Sequence, residues 1–565
     1  MCRTVNPFAL VVAAGFVALV ASVASVASAA PAAPANSAAA AAPVPELFVS
    51  ADQCQACHNG LVASDGGDVS IGFDWRSSIM AHSARDPYWQ AAVRREVMDH
   101  PAAQAAIEDE CAICHLPMAR FEAHAQGQTG EIFAHLPPAQ PGAAAAAGDP
   151  RTNRLALDGV SCSACHQIQA AGLGTEESFT GGFVVATERP LWSRRPAFGP
   201  HDVDAGRTRV MHSATGLEPV RGDHIQDPEL CATCHTLYTH ALGPDGEVVG
   251  TLPEQVPYLE WRHSDFAESR SCQSCHMPAL AGLQAPTSVL PQPREEFSPH
   301  VFRGGNFFVL SMLNRYRDEL AVAALPQELA RTRASTMEFL RTEAATLAVD
   351  SAGVADGHLT ARLQVENLAG HKLPTAYPSR RVWLHVTVRD GRGAVFFESG
   401  ALEPSGLIVG NDNDRDPDSY EHHHRTITDP EQVQIYESIM MTRDGRVTTG
   451  LLSAVGYVKD NRIVPEGFDK TTAGEDIAVQ GAARDDGDFV GGLDRVRYRV
   501  EVGDRRGPFT LTATLWYQPI SFRWAMNQEP YDAPETRRFT RMYRSMSESS
   551  AIVLARTSAR VATSD

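Results

Sequence analysis

The sequence predicts an α+β, multidomain chain: a mostly helical and loop-built N-terminal region followed by an antiparallel β-sandwich. Three observations carry this expectation. Ten of the 11 cysteines stand in five Cys-x-x-Cys-His motifs, all before residue 277. No cysteine follows Cys275. From about residue 345, apolar and polar residues alternate with period two between turn signals, the pattern of half-buried strands. The implied domains are a signal peptide (1–30), an Ala/Pro-rich linker (31–45), a motif-bearing domain (46–345) and a β-sandwich-like domain (346–565).

Taken in order, Arg3 gives a short positive start. A mostly apolar run then extends from Pro7 to about Val26, ahead of Ala27-Ser28-Ala29-Ala30. This is the pattern of a secretory signal with a small-residue cleavage site. Cleavage near Ala29 or Ala30 also removes Cys2. Within the motif-bearing region, Asp86 reads as an N-cap with Pro87 at N1. The helix runs from Tyr88 to about Asp99 and stops before Pro101. A second helix, Ala102 to Glu110, delivers Cys111. Pro141-Gly142 and the alanines to Ala147 read as a surface insertion, and Leu310 to Leu347 has helical periodicity. The expected strands are Leu359–Val365, Val382–Val388, Ala394–Ser399, Val447–Tyr457, Val496–Val502 and Phe509–Tyr517. Asp390-Gly391, Asp444-Gly445 and Gly507-Pro508 mark turns between them.

The five motifs are Cys54-x-x-Cys57-His58, Cys111-x-x-Cys114-His115, Cys162-x-x-Cys165-His166, Cys231-x-x-Cys234-His235 and Cys272-x-x-Cys275-His276. Each reads as a c-type haem attachment site. Two thiols at this spacing reach the vinyl groups along one porphyrin edge, and the next residue takes an axial position on the iron. A zinc or redox Cys-x-x-Cys reading does not explain a histidine after every second cysteine. The cofactor expectation is therefore five covalently bound c-type haems, with His58, His115, His166, His235 and His276 as proximal ligands. The intervals between first cysteines are 57, 51, 69 and 41 residues, with no repeat beyond the motif itself.

Several stretches carry a resemblance. They are LCATCHTLYTHALGPDGEVVGTLPEQVPYLEWRHSDF with SCQSCHMP (Leu230 to Pro278), SPHVFRGGN (Ser298 to Asn306), NLAGHKLPTAYPSRRVWLHV (Asn367 to Val386) and YVKDNRIVPEGFD (Tyr457 to Asp469). In these the chain resembles the bacterial multihaem c-type cytochromes of respiration, in the broad group that includes the tetrahaem cytochromes of ammonia oxidation. The resemblance implies a pentahaem cytochrome c domain and a C-terminal β-rich module. Pentahaem nitrite reductases usually carry a lysine in place of one motif histidine; all five motifs here end in His, which lowers that reading.

Each iron needs a sixth ligand or an open position. A second His closes the site for electron transfer, and Met raises the potential. The chain has 21 His, and the supply outside the motifs is ample. The distal candidates are His82, just before a helix; His300, beside two glycines that allow close backbone approach; His212 and His224, between motifs three and four; His371, reaching from the β-domain; and His124, after motif two. Met80 and Met211 are weaker axial alternatives, and Met277 packs against a haem rather than ligating it. Arg262 and Arg303 are candidates to pair haem propionates. Asn411 to Asp418 is acidic but lacks the spacing of an EF-hand, so it reads as a solvated loop. His422-His423-His424 reads as a surface run.

A formal charge of −19 argues against nucleic acid and against anionic lipid. The leading expectation is an exported, periplasmic or extracellular protein that relays electrons between a respiratory donor and an acceptor. Its partners are redox proteins, and the β-domain offers a docking or self-association surface. The alternative is a multihaem oxidoreductase acting on a nitrogen or sulfur oxyanion at an open-coordination haem. No residue is assigned as catalytic.

Overall fold

The computed structural model describes residues 46–137, 149–187 and 194–562. The expected signal peptide, the linker and the Ala-rich insertion at 141–147 lie outside the described residues. Pro45–Asp565 forms one compact unit.

Helix Pro87–Asp99 begins where its cap dictates: the Asp86 carboxylate accepts the Tyr88 and Trp89 N–H groups, and Pro87 occupies the first turn. The next helix is displaced from its expected span. Pro101–Ala103 is a 3₁₀ turn, and the α-helix runs Gln104–His115, through the whole second motif. The expected helical stretch 310–347 is two helices, Phe307–Arg315 and Pro326–Glu343, separated at the residues before Pro326. Ala345 already belongs to a strand.

The β-rich half holds two main sheets. One has the strand order Ile435–Tyr436, Arg381–Arg389, Phe509–Gln518, Ile552–Val561, with Val395–Ser399 also paired to Arg381–Arg389. The other runs Ala345–Ala355, His358–Asn367, Leu493–Glu501, Thr426–Ile427. Period-two patterning selects the inward face. In His358–Asn367, Leu359, Ala361, Leu363 and Val365 are all 0% exposed, and Val496 and Tyr498 lie opposite Leu363 and Ala361. In the first sheet Leu384 pairs with Leu515 and Val386 with Ala513. These residues share one apolar core with Tyr88, Phe307 and Phe308. Each buried large side chain there contributes about 1.5–3 kcal/mol. Helix Pro326–Glu343 gives way to strand Ala345–Ala355, and side chains from both sides of residue 345 enter that core.

The expected strand at 447–457 is interrupted. Val447–Thr448 and Gly456–Asp460 are strands, with a 3₁₀ turn at Leu451–Ser453 between them. The Glu96 carboxylate explains the break. It accepts the Leu451 N–H (2.8 Å) and the Leu452 N–H (3.3 Å), taking those donors from any ladder. Arg94 pairs with Glu535 at 2.9 Å, and Arg95 donates to Thr449 Oγ1 at 2.8 Å. Helix Pro87–Asp99 is thereby fixed to the β-rich half along one side.

Two polar stretches expected to be solvated each place residues inside the protein. Within Asn411 to Asp418, Asp414 is inside the protein. It receives both Arg381 Nη1 (2.8 Å) and Nη2 (2.9 Å), because Arg381 sits in a central strand and needs a counter-charge. In the His422–His424 run, His423 is buried, with Nε2 3.1 Å from Asp486 Oδ2.

Candidate haem sites

All five motifs sit on a helical turn. Cys54 lies in Ala51–Gln55, with the His58 N–H bonded to the Cys54 carbonyl at 3.0 Å. Motif two ends Gln104–His115, and motif three spans Cys162–Cys165 with the His166 N–H on the Cys162 carbonyl at 2.9 Å. Motifs four and five lie in Pro228–His235 and Cys272–His276. Helical spacing puts residues i, i+3 and i+4 on one face. Both thiols and the imidazole of each motif therefore share a side. All ten cysteines are free thiols.

Four motif imidazoles are oriented in the same way. Nδ1 of His58 lies 2.7 Å from the Pro286 carbonyl, that of His115 2.9 Å from Ser83, and that of His166 2.6 Å from Phe198; Nδ1 of His276 bonds the Arg303 carbonyl. A ring whose Nδ1–H donates to a carbonyl presents Nε2 as a lone pair, the usual arrangement of a metal-ligating histidine. Burial holds all four rings neutral at physiological pH, with His115 and His276 pushed down to about 4. Trp89 lies flat on His115 at 4.1 Å and 7°.

Two of these imidazoles face a second one. His166 and His300 have ring centroids 6.2 Å apart with planes 21° from parallel. His276 and His371 are 6.3 Å apart and inclined by 18°. Direct ring stacking would bring them to the separation of Trp89 and His115. Two imidazoles on opposite sides of one metal, at about 2 Å per metal–nitrogen bond, would have centroids about 6.3 Å apart. His300 Nδ1 is 3.1 Å from the Ser298 carbonyl and His371 Nδ1 is 3.0 Å from that of Lys372. In each pair both rings thus have Nδ1 engaged and Nε2 free, and the donor set fits an axially bis-His haem.

The other candidates are placed differently. His82 is 3% exposed, and neither ring nitrogen has a hydrogen-bond partner. A buried imidazole left so is costly unless something binds it, which also fits a ligand role. His212 lies on helix Ala205–Thr215, packed against the motif-one helix, and its Nδ1 is buried without a partner. His224 Nε2 instead meets the Ile168 carbonyl at 2.9 Å. His124 Nε2 meets Asp109 Oδ1 at 2.7 Å, near the surface. Arg303 has a buried Nε without a protein partner and lies 5.8 Å over Phe339. That is what a propionate-binding guanidinium requires. Arg262 is exposed, 5.7 Å over Tyr258.

The motifs also touch one another. The Cys54 thiol neighbours that of Cys162, Cys114 that of Cys234 and Cys231 that of Cys272, and in each case the neighbouring thiol is the largest influence on the proton affinity. Cys165 is further raised by burial and by the neighbouring Cys234. Motif one is therefore beside three, three is near four, and two and five both abut four. Sequence reasoning missed the carbonyl anchors Pro286, Ser83, Phe198 and Arg303, because a backbone oxygen leaves no signature in residue type. It also missed Arg380, whose guanidinium lowers His235 beyond the effect of burial.

Outside the haem region, His423, Asp486 and Asp494 bring one ligand atom each within 4.8 Å of one another. Their surroundings do not suit a metal. Gln434 Nε2 (2.8 Å) and Asn461 Nδ2 (3.1 Å) both donate to His423 Nδ1. Their amides are fixed, since Gln434 Oε1 accepts the His424 N–H and Asn461 Oδ1 the Glu437 N–H. Nδ1 is thus the lone pair, and Nε2 carries the proton given to Asp486. A histidine bound to metal through Nε2 would instead need Nδ1 as a donor.

No protein-family model and no curated protein matches the chain. Among solved structures, a penta-heme cytochrome c552 from Thermochromatium tepidum is similar at a TM-score of 0.49 and 16% identity, covering 91% of this chain and 100% of its own. That likeness is too distant to assign a family.

Proposed function

We propose that this chain is an exported pentahaem c-type cytochrome that relays electrons between a respiratory donor and an acceptor. The observation that carries the reading is the two pairs of facing imidazoles, at 6.2 and 6.3 Å, each with one ring from a Cys-x-x-Cys-His motif. Bound haem supplies one-electron redox chemistry at iron. The chain's own residues do the rest. The ten motif cysteines would tether the five groups, and the five motif histidines would ligate their irons. His300 closes the site of motif three and His371 that of motif five. His82 and His212 are next in line as sixth ligands, ahead of His224 and His124. Contact between motifs one and three, two and four, and four and five, with Cys165 of motif three near Cys234 of motif four, supports a continuous path with motif four at its centre.

The leader at residues 1–30 and the haem motifs support export, since c-type attachment takes place outside the cytoplasm. Among the described residues no helix is long and apolar enough to cross a membrane. The partners are redox proteins, and the acidic charge speaks against nucleic acid.

One observation favours the second reading, a multihaem oxidoreductase. His235 lies beside Arg380, whose guanidinium has Nη1 on the Thr375 carbonyl at 3.2 Å. A cation next to an open iron would bind an oxyanion. Mass and visible spectra of the purified protein test both readings. Five added haems, all six-coordinate and low-spin, support the relay. A high-spin band, with turnover of nitrite, hydroxylamine or tetrathionate, would support the enzyme. An unmodified mass would defeat both.

A further inference from the structure

We propose that Glu260 is the positioning residue that keeps His371 in place as the sixth ligand of the motif-five haem, through a buried charge cluster with Lys372, Asp460 and Arg462. The inference rests on reading His276 and His371 as an axial pair.

His371 belongs to the segment that leaves strand His358–Asn367, while His276 belongs to the haem region. Something must hold that segment against the motif. Glu260 comes from helix Pro257–Arg262, which packs on the motif-four helix Pro228–His235, and it is 0% exposed. Its Oε2 accepts the N–H of Lys372 (3.1 Å), the residue next to His371, and the hydroxyl of Thr375 (2.5 Å). Its Oε1 lies 3.0 Å from Arg462 Nη1, off the hydrogen-bonding direction.

The cluster is charge-balanced. Arg462 grips Asp460 through Nε–Oδ1 (2.8 Å) and Nη2–Oδ2 (2.7 Å), and Lys372 Nζ reaches Asp460 Oδ2 at 2.6 Å. Two cations meet two carboxylates, all under 8% side-chain exposure. A buried group of this kind tolerates desolvation only while every partner remains, so deleting one charge is felt by the rest.

One further tie crosses from the haem region, where the Ser264 hydroxyl donates to the Gly370 carbonyl (3.2 Å); the rest are local. Asn367 Nδ2 donates to the His371 carbonyl (2.8 Å), and Leu373 exchanges backbone bonds with Ile463 (2.8 and 2.9 Å). Gly370 passes so close to the haem region that a Cβ there would lie 3.1 Å from Phe266 and 3.3 Å from Trp261. Leu373 and Asn367 hold the segment to the β-rich half through Ile463. Glu260 is the acid that ties it to the helices bearing the motifs. Loss of its charge should therefore loosen the ligand rather than unfold the sheet.

The test uses the purified, haem-loaded full chain and carbon monoxide as probe of ferrous haem. Glu260→Gln is expected to open one haem of the five, raising its rate of carbon monoxide binding at least tenfold. His371→Ala should open the same haem, and the double variant should bind no more gas than His371→Ala alone. Glu260→Asp should recover part of the low-spin signal. If His371→Ala opens one haem but Glu260→Gln keeps the wild-type spin state and binding, the proposal is overturned while the axial pair stands. If His371→Ala opens none, the axial pair falls and the proposal with it. Should Glu260→Gln fail to accumulate, Thr375→Ala removes one of the two bonds to Oε2. A smaller rise at the same haem is expected there, and no rise overturns the proposal.

Discussion

The backbone carbonyl of Arg303 accepts a hydrogen bond from Nδ1 of His276. Three residues earlier in the same segment, His300 faces His166 across 6.2 Å. One stretch of chain thus orients the proximal imidazole of one motif and opposes that of another. His300→Ala is expected to convert one haem from low-spin to high-spin while His276 and His371 keep theirs six-coordinate. Electron paramagnetic resonance of the ferric protein, integrated per haem, checks this. Loss of two low-spin signals, or none, contradicts the assignment.

Arg303 brings a positive charge whose Nε is buried without a protein partner. If a propionate takes that nitrogen, removing the charge favours the oxidised haem. Arg303→Met should lower one midpoint potential by about 60 mV, the one-electron equivalent of a tenfold change. Spectroelectrochemical titration of wild type and variant gives the answer, and five unchanged potentials refute the pairing.

Arg381 and Asp414 form a two-pronged ion pair at 1% and 0% side-chain exposure. Removing one partner leaves the other charge buried alone, at a cost of about 3–5 kcal/mol. Asp414→Asn should therefore destabilise strongly, whereas Arg381→Met with Asp414→Leu should recover most of the loss. Denaturant unfolding followed by tryptophan fluorescence is suitable, because Arg381 lies 5.8 Å over Trp383.

Asp494 is pushed up to about 6, mainly by burial, against the hydrogen bond from Tyr436; Asp486 adds to the rise. A carboxyl raised on folding is bound to its proton more tightly in the native state than in the unfolded one. Its contribution is complete below the ordinary aspartate value near 4 and is lost as pH climbs through about 6. The loss amounts to up to about 3 kcal/mol. Stability of wild type should fall over that window relative to Asp494→Asn, which lacks the titration. Parallel slopes for the two proteins between pH 4 and 7 would sink the claim.

What could be read in advance was local. The five motifs and the helix capped by Asp86 depend on neighbours within a few residues, and the cap is where the sequence puts it. Five of the six expected strands overlap single observed ones, because period-two burial is written into side-chain type. Ala345–Ala355 and Ile552–Val561 went unseen: most of the first strand is solvent-facing and carries small residues, and the second mixes arginines into its alternation. The run at 447–457 looked continuous because nothing nearby announces Glu96, which takes its N–H groups from more than 350 residues away. His423 and Asp414 looked solvated for a similar reason. Their partners, Asp486 and Arg381, are set by topology. The partners of motif histidines follow the same rule: His371 stands 95 positions beyond His276, and only the fold brings the two rings face to face.

The placement of His371 on the far side of residue 345 has a practical corollary. A chain cut at that point would keep every attachment motif and still lose an imidazole that opposes one of them, along with Tyr517 and Tyr543, against which Phe307 and Phe308 pack. No miniature of this protein can be made by trimming its C-terminal half. The segment without a single cysteine supplies the ring that faces His276, as the segment that holds them all supplies His276 itself.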